Sequence, residues 1–105
     1  MIVETFPLGP LQTNSFVARS GGLCAVFDVG GDPAPIMDYI HDNALTLTHI
    51  VVTHLHCDHL YGVAELARAT GAPVWGSGAD RYLLDTDLGA GGFMGLPRIE
   101  PFAFT

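Results

Sequence analysis

Three histidines and an aspartate fall within six residues, in the run His54-Leu55-His56-Cys57-Asp58-His59. Packing explains such a run poorly, because each of these side chains would need desolvation and a polar partner if it were simply buried. Metal binding accounts for it. Neutral imidazole and carboxylate are good ligands for zinc, and also for iron or manganese. Alternation along an extended segment points His54 and His56 to the same side, and Asp58 and His59 then turn toward a neighbouring point as the segment ends. One cluster thus has room for two metal ions. Two ions held close together lower the pKa of a bridging water until hydroxide exists near neutral pH, and they polarise the bond being attacked. That is the chemistry of hydrolysis. The plain alternative is a helix-starting loop with surface histidines, but four ligand-type residues rarely cluster at a strand end by chance.

The elements around the cluster must position it. Residues 47–53, Leu-Thr-His-Ile-Val-Val-Thr, form a β-branched run suited to a buried strand, so the cluster sits at a strand's C-terminal end. Upstream, residues 2–6, 14–19 and 23–29 read as strands, with Gly21-Gly22 as a hairpin turn, which predicts an antiparallel start. Gly30-Gly31 breaks the third strand. Asp32-Pro33 then offers an N-cap followed by proline at the first helical position. In that helix Ile36, Tyr39 and Ile40 share one side, with Asp38, His41 and Asp42 between them, and it ends near Asn43.

Downstream, Tyr61, Val63, Leu66 and Ala67 fall on a helical face that Gly71 closes, and Pro73-Val74-Trp75 is short enough for one more strand. This strand–helix–strand order predicts parallel pairing. A weaker helix is expected over residues 78–87, then a glycine-rich loop over 88–95 that lacks the spacing of a phosphate loop.

With 49% hydrophobic and 14% charged residues, the 105-residue chain is expected to fold as one domain over residues 1–105. Its balance of 4 Lys and Arg against 11 Asp and Glu gives −7, so no nucleic-acid partner is expected. No apolar run reaches membrane-spanning length and the N-terminus lacks a signal-peptide pattern, so no membrane partner and a cytoplasmic location are expected. Cys24 and Cys57 are expected to be free thiols.

Thr53-His54-Leu55-His56-Cys57-Asp58-His59 resembles the T-H-x-H-x-D-H signature of the metallo-β-lactamase fold. The stretch from Gly9-Pro10-Leu11-Gln12-Thr13-Asn14-Ser15-Phe16 to Ala25-Val26-Phe27-Asp28-Val29-Gly30 is similar to hydroxyacylglutathione hydrolases (glyoxalase II) and their smaller bacterial relatives. The resemblance spans about Phe6 to Trp75. It implies an α/β fold: half of the αββα sandwich, a mixed and mainly antiparallel sheet with helices on one face.

It further implies that His54 and His56 ligate a first metal, and Asp58 and His59 a second, with Asp58 also counted as catalytic. Zn2+ is the expected ion, one or two per site, with Fe or Mn as substitutes. Asp28 would brace the metal loop through hydrogen bonds, although a strand-end turn role suits an aspartate equally. The implied activity is hydrolysis of a small glutathione-like thioester. β-Lactamases, RNA-processing phosphodiesterases and persulfide dioxygenases share the motif, whereas flavodiiron proteins carry glutamate at the place of His56. Further ligands in the family come from a second half, and no histidine follows His59 here, so low activity is expected of this chain alone. A non-catalytic metal-binding or assembly module is the rival from another class.

Other residues invite plainer readings. Cys57 should point away from the histidines as a small apolar filler, and Cys24 should be core. His41 should be exposed and His49 half-buried. Tyr61 next to the motif either packs in the core or approaches a substrate, and Asn14 either satisfies a turn or acts in the site. Strands over 23–29 and 47–52 carry apolar residues at both parities, so one sheet face should stay uncovered and draw two copies into a homodimer.

Overall fold

In the computed structural model, which describes residues 1–76, 89, 91–92 and 98–104, alternating side chains build one five-stranded sheet in the order β1-β2-β3-β4-β5. Strands β1 (Ile2–Leu8), β2 (Thr13–Ser20) and β3 (Leu23–Phe27) form an antiparallel meander. Gly21 takes φ +60° at the first central position of the β2–β3 turn, where a type II′ hairpin needs a left-handed residue. Helix α1 (Ala34–Asp42) then crosses over to β4 (Thr46–Val52), which pairs parallel with β3. Helix α2 (Val63–Thr70) carries the chain to β5 (Val74–Gly76), parallel to β4. The sheet is therefore mixed, antiparallel in its first half and parallel in its second. The helix expected over 78–87 lies outside the described residues, as does most of the loop over 88–95.

One face of the sheet is dry. Val17, Val26, Ile50 and Val74 lie in a single register row and are fully or almost fully buried, packed with Ile36 of α1 and Val63 and Leu66 of α2. Cys24 and Val52 extend the same face, so Cys24 is core as expected. Ile99, Phe102 and Phe104 pack against this core, and Arg68 of α2 forms an ion pair with Glu100. The opposite face leaves Phe16, Leu23 and Trp75 exposed. Among the described residues no helix is long and apolar enough to cross a membrane.

Strand ends shift by one or two residues from the sequence reading, β1 running on to Leu8, and three differences have a local reason. Helix α1 begins one residue later, with Pro33 at the N-cap, although Asp32 Oδ1 still accepts the Ala34 N–H at 2.9 Å. The third strand stops at Phe27 because Asp28 adopts φ +63° and turns the chain out of the sheet. Val29 then bonds to the loop beyond β4: its N–H donates to the His59 carbonyl at 3.0 Å and its carbonyl accepts the Gly62 N–H at 2.9 Å. Tyr61 lies in the turn before α2 and not on that helix, which starts at Val63. Gly71, at φ +72°, closes α2 as expected, its N–H donating to the Ala67 carbonyl at 2.8 Å.

Candidate metal centre

The histidine run leaves the end of β4 and closes into a single 3-10 turn, Cys57–His59. The His59 N–H donates to the His56 carbonyl at 2.9 Å and the Leu60 N–H to the Cys57 carbonyl at 3.0 Å. Leu55, Cys57 and Leu60 point inward and are almost fully buried. That anchoring turns the other parity outward: His54 is exposed, and His56, Asp58 and His59 are half-buried. Cys57 is thus the apolar filler expected of it.

The three imidazole rings lie near one another, His54 and His59 closest and His56 further out. Ring centroids lie 4.9 Å apart for His54 and His59, 5.9 Å for His54 and His56, and 6.4 Å for His56 and His59. Asp58 Oδ2 stands 3.6 Å from His59 Nε2. Two donors at about 2.1 Å from one ion across a tetrahedral angle sit roughly 3.4 Å apart, so this pair is close to ligating geometry.

Asp28 holds the run from below. Only 3% exposed, it accepts the Thr53 N–H on Oδ1 at 2.7 Å, the Thr53 hydroxyl on Oδ2 at 2.5 Å, and His59 Nδ1–H on Oδ2 at 3.0 Å. Its positive φ is the backbone feature that aims the carboxylate at the loop, and aspartate tolerates that region better than most residues. His54 Nδ1 lies 2.9 Å from Thr53 Oγ1. Because the Thr53 proton is given to Asp28, His54 Nδ1 must be the donor in that contact. Both His54 and His59 then carry hydrogen on Nδ1 and, when neutral, keep a lone pair on Nε2, the tautomer a metal requires.

One donor atom each from Asp28, His54 and His59 lies within 4.8 Å of the others. Proximity alone would make Asp28 a ligand, but its two oxygens already accept three hydrogen bonds. It serves better as the brace that the resemblance implied. Burial pushes the Asp28 pKa up, yet the hydrogen bonds from His59 and Thr53 outweigh it and hold the carboxyl below its ordinary range. The same hydrogen bond, donated by His59 to Asp28, raises the His59 pKa against burial, with the charges of Asp28 and Asp58 adding to it. The donor set of imidazole nitrogens and carboxylate, with tautomers fixed from behind, fits a divalent ion such as zinc or iron.

One contact carries no signal in the sequence pattern: Thr13 Oγ1 donates to Asp58 Oδ2 at 3.0 Å across 45 residues. Thr53, the first residue of the signature, owes its place there to its bonds with Asp28 and His54. The Tyr61 hydroxyl is buried without a well-formed hydrogen bond; burial first, then its neighbours Cys57 and Asp58, raise its pKa far above the ordinary value. His41 is exposed on α1, and half-buried His49 meets Trp75 edge-on at 4.8 Å, away from the cluster. Asn14 lies exposed in β2 and not in a turn.

The sheet, the two helices and the histidine loop at the end of β4 place a candidate metal site at a strand end, and residues 8–103 match the metallo-beta-lactamase superfamily. The chain belongs to that family. It is 33% identical over 89 residues to a probable metallo-hydrolase, YqgX, of Bacillus subtilis, covering 84% of this chain and 42% of that protein. Over 65 residues it is 48% identical to a hydroxyacylglutathione hydrolase of Jannaschia sp., covering 62% of this chain and 25% of that one. Among solved structures, the B3 metallo-beta-lactamase BLEG-1 superposes with a TM-score of 0.84 at 28% identity, covering 96% of this chain and 50% of that one. TTHA1623, solved in a di-iron-bound form, superposes with a TM-score of 0.79 at 29% identity, covering 97% and 52%. The chain therefore spans about half the length, or less, of the proteins it matches.

Proposed function

We propose that this chain carries the metal-binding half of a thioester hydrolase of the hydroxyacylglutathione type. The observation that carries the reading is the braced pair His54 and His59, each with Nε2 free, beside Asp58 at the end of β4. In this reading His54 and His56 hold one ion, and Asp58 and His59 a second. A bound divalent ion supplies Lewis acidity, which brings the pKa of water toward neutrality and polarises an acyl group. The chain's own residues provide the rest. Asp28 and Thr53 keep both imidazoles in the ligating tautomer, and the buried Leu55, Cys57 and Leu60 fix where the loop projects. The likeness to a hydroxyacylglutathione hydrolase supports a thioester as substrate, and the family membership supports hydrolysis. Zinc is the proposed ion, with iron next because of the di-iron relative.

A β-lactam is the second reading, favoured by the superposition on a B3 metallo-beta-lactamase. Calorimetric zinc titration of the chain and of a His54→Ala/His56→Ala double variant tests the metal reading, with affinity expected to fall at least about tenfold in the variant. Equal binding by the two would remove it. S-lactoylglutathione and a β-lactam, offered to the zinc-loaded chain, then separate the substrates. Slow zinc-dependent cleavage of the thioester is expected, below the roughly 10 per second of a typical enzyme, because four loop ligands are few for two ions. Preference for the β-lactam would favour the second reading.

A further inference from the structure

Thr13 reaches the candidate centre from the far side of the chain. Its hydroxyl donates to Asp58 Oδ2 at 3.0 Å, and that oxygen is the one lying 3.6 Å from His59 Nε2. Thr13 begins β2, directly after Gln12, whose φ of +49° turns the chain into the strand. What lets β2 approach the histidine loop is Gly30. A Cβ there would lie 2.9 Å from the Asp58 carbonyl oxygen, 2.9 Å from Thr13 Cβ and 3.0 Å from the Leu8 carbonyl oxygen. Its N–H is tied at 3.1 Å to the hydroxyl of Ser15, a fully buried residue two positions along β2 from Thr13. Backbone, glycine and hydroxyl together set one contact.

We propose that Thr13 is a positioning residue for Asp58, its hydroxyl holding the carboxylate in the rotamer that places Oδ2 beside His59 Nε2. The inference rests on the reading of Asp58 and His59 as ligands. A free aspartate side chain rotates about two bonds, so an unheld carboxylate spends part of its time away from the ion, and apparent affinity falls by that fraction. A single donor from a strand end removes that freedom, as outer partners of metal ligands do elsewhere, where their loss costs about 10–100-fold in affinity. The threonine methyl cannot do this, so the hydroxyl alone should matter.

Cobalt(II) titration followed by visible absorption gives a readout of ligand geometry that a packing role would not move. The binding component lost in Asp58→Asn defines the ion concerned. Thr13→Ser should titrate within a few-fold of the wild type with the same spectrum. Thr13→Ala and Thr13→Val should weaken that component about 10–100-fold and alter its bands, with Thr13→Val adding nothing on top of Asp58→Asn. Thr13→Ala is included because the valine methyls crowd the carboxylate, and thermal melts of each variant confirm folding. Wild-type titration by a folded Thr13→Ala, with Asp58→Asn clearly weakened, overturns the positioning role and leaves the metal reading standing. Wild-type titration by Asp58→Asn itself overturns both.

Discussion

At the scale of single residues, the candidate centre depends on one buried carboxylate. Asp28 binds Thr53 twice and His59 once, and its pKa is lowered while that of His59 is raised. The two shifts act on opposite sides of a pH window in the metal-free chain. Raised in the folded state, His59 contributes stability that is complete below its unfolded pKa of about 6.5 and is lost as pH rises through the folded value. Lowered in the folded state, Asp28 contributes stability present above about 3.9 and lost as pH falls through its folded value. Metal-free melts should therefore peak between about pH 4 and 6.5, and Asp28→Asn should flatten both limbs. A wild-type melting temperature that kept climbing from pH 6 to 8 in chelator would contradict the pairing. With zinc present the upper limb should reverse, because the proton on His59 competes with the ion and metal affinity grows with pH.

At the scale of elements, glycines decide how closely the loops meet. A Cβ on Gly62 would lie 2.0 Å from the Gly31 carbonyl oxygen, and one on Gly31 would lie 2.4 Å from the Gly9 nitrogen. Backbone cannot swing aside as a side chain can. Gly62→Ala should destabilise the fold by about 1–3 kcal/mol or more, measured by urea unfolding. Gly22→Ala, with nothing within 4 Å and no positive φ, is the control and should change stability by less than about 0.5 kcal/mol. Equal effects at the two positions would mean that the stacked turns are looser than the distances show. None of this crowding was legible in the sequence, where Gly30-Gly31 read only as a strand break. Contiguous signals were legible: the histidine run, the one-sided helix after Pro33, the Gly71 cap and the parallel strand at Val74. Contacts such as Thr13 with Asp58 or Asp28 with Thr53 join residues 45 and 25 apart, and no local period encodes them. Val29 looked like more strand because it is apolar and β-branched. Its hydrogen bonds to the histidine loop, set by the left-handed turn at Asp28, override that propensity.

At the scale of the whole molecule, the sheet has one face covered and, among the described residues, one bare. Phe16, Phe27, Val51 and Trp75 lie side by side in register across β2 to β5 on the bare face, with Phe16 37% and Trp75 52% exposed. Leu23 adds to that face at 56% exposure. A row of large apolar side chains across four strands, exposed at Phe16 and Trp75 and half-buried at Phe27 and Val51, is more than a soluble monomer usually shows to water. Sheets cover such faces by packing on another sheet about 10 Å away. In a solution of the pure chain the available sheet is that of a second copy. We therefore expect self-association face to face, through an interface of at least roughly 1,200 Å². The net charge of −7 opposes it, so association should tighten as salt screens the repulsion. Sedimentation equilibrium at micromolar concentration should show a dimer that strengthens between low and moderate salt. Phe16→Glu with Trp75→Glu, both on the bare face and away from the histidine loop, should return the chain to monomer without lowering its zinc affinity. A wild-type chain that sediments as a clean 11.1 kDa monomer at every salt concentration would mean that this face is stable in water as it stands.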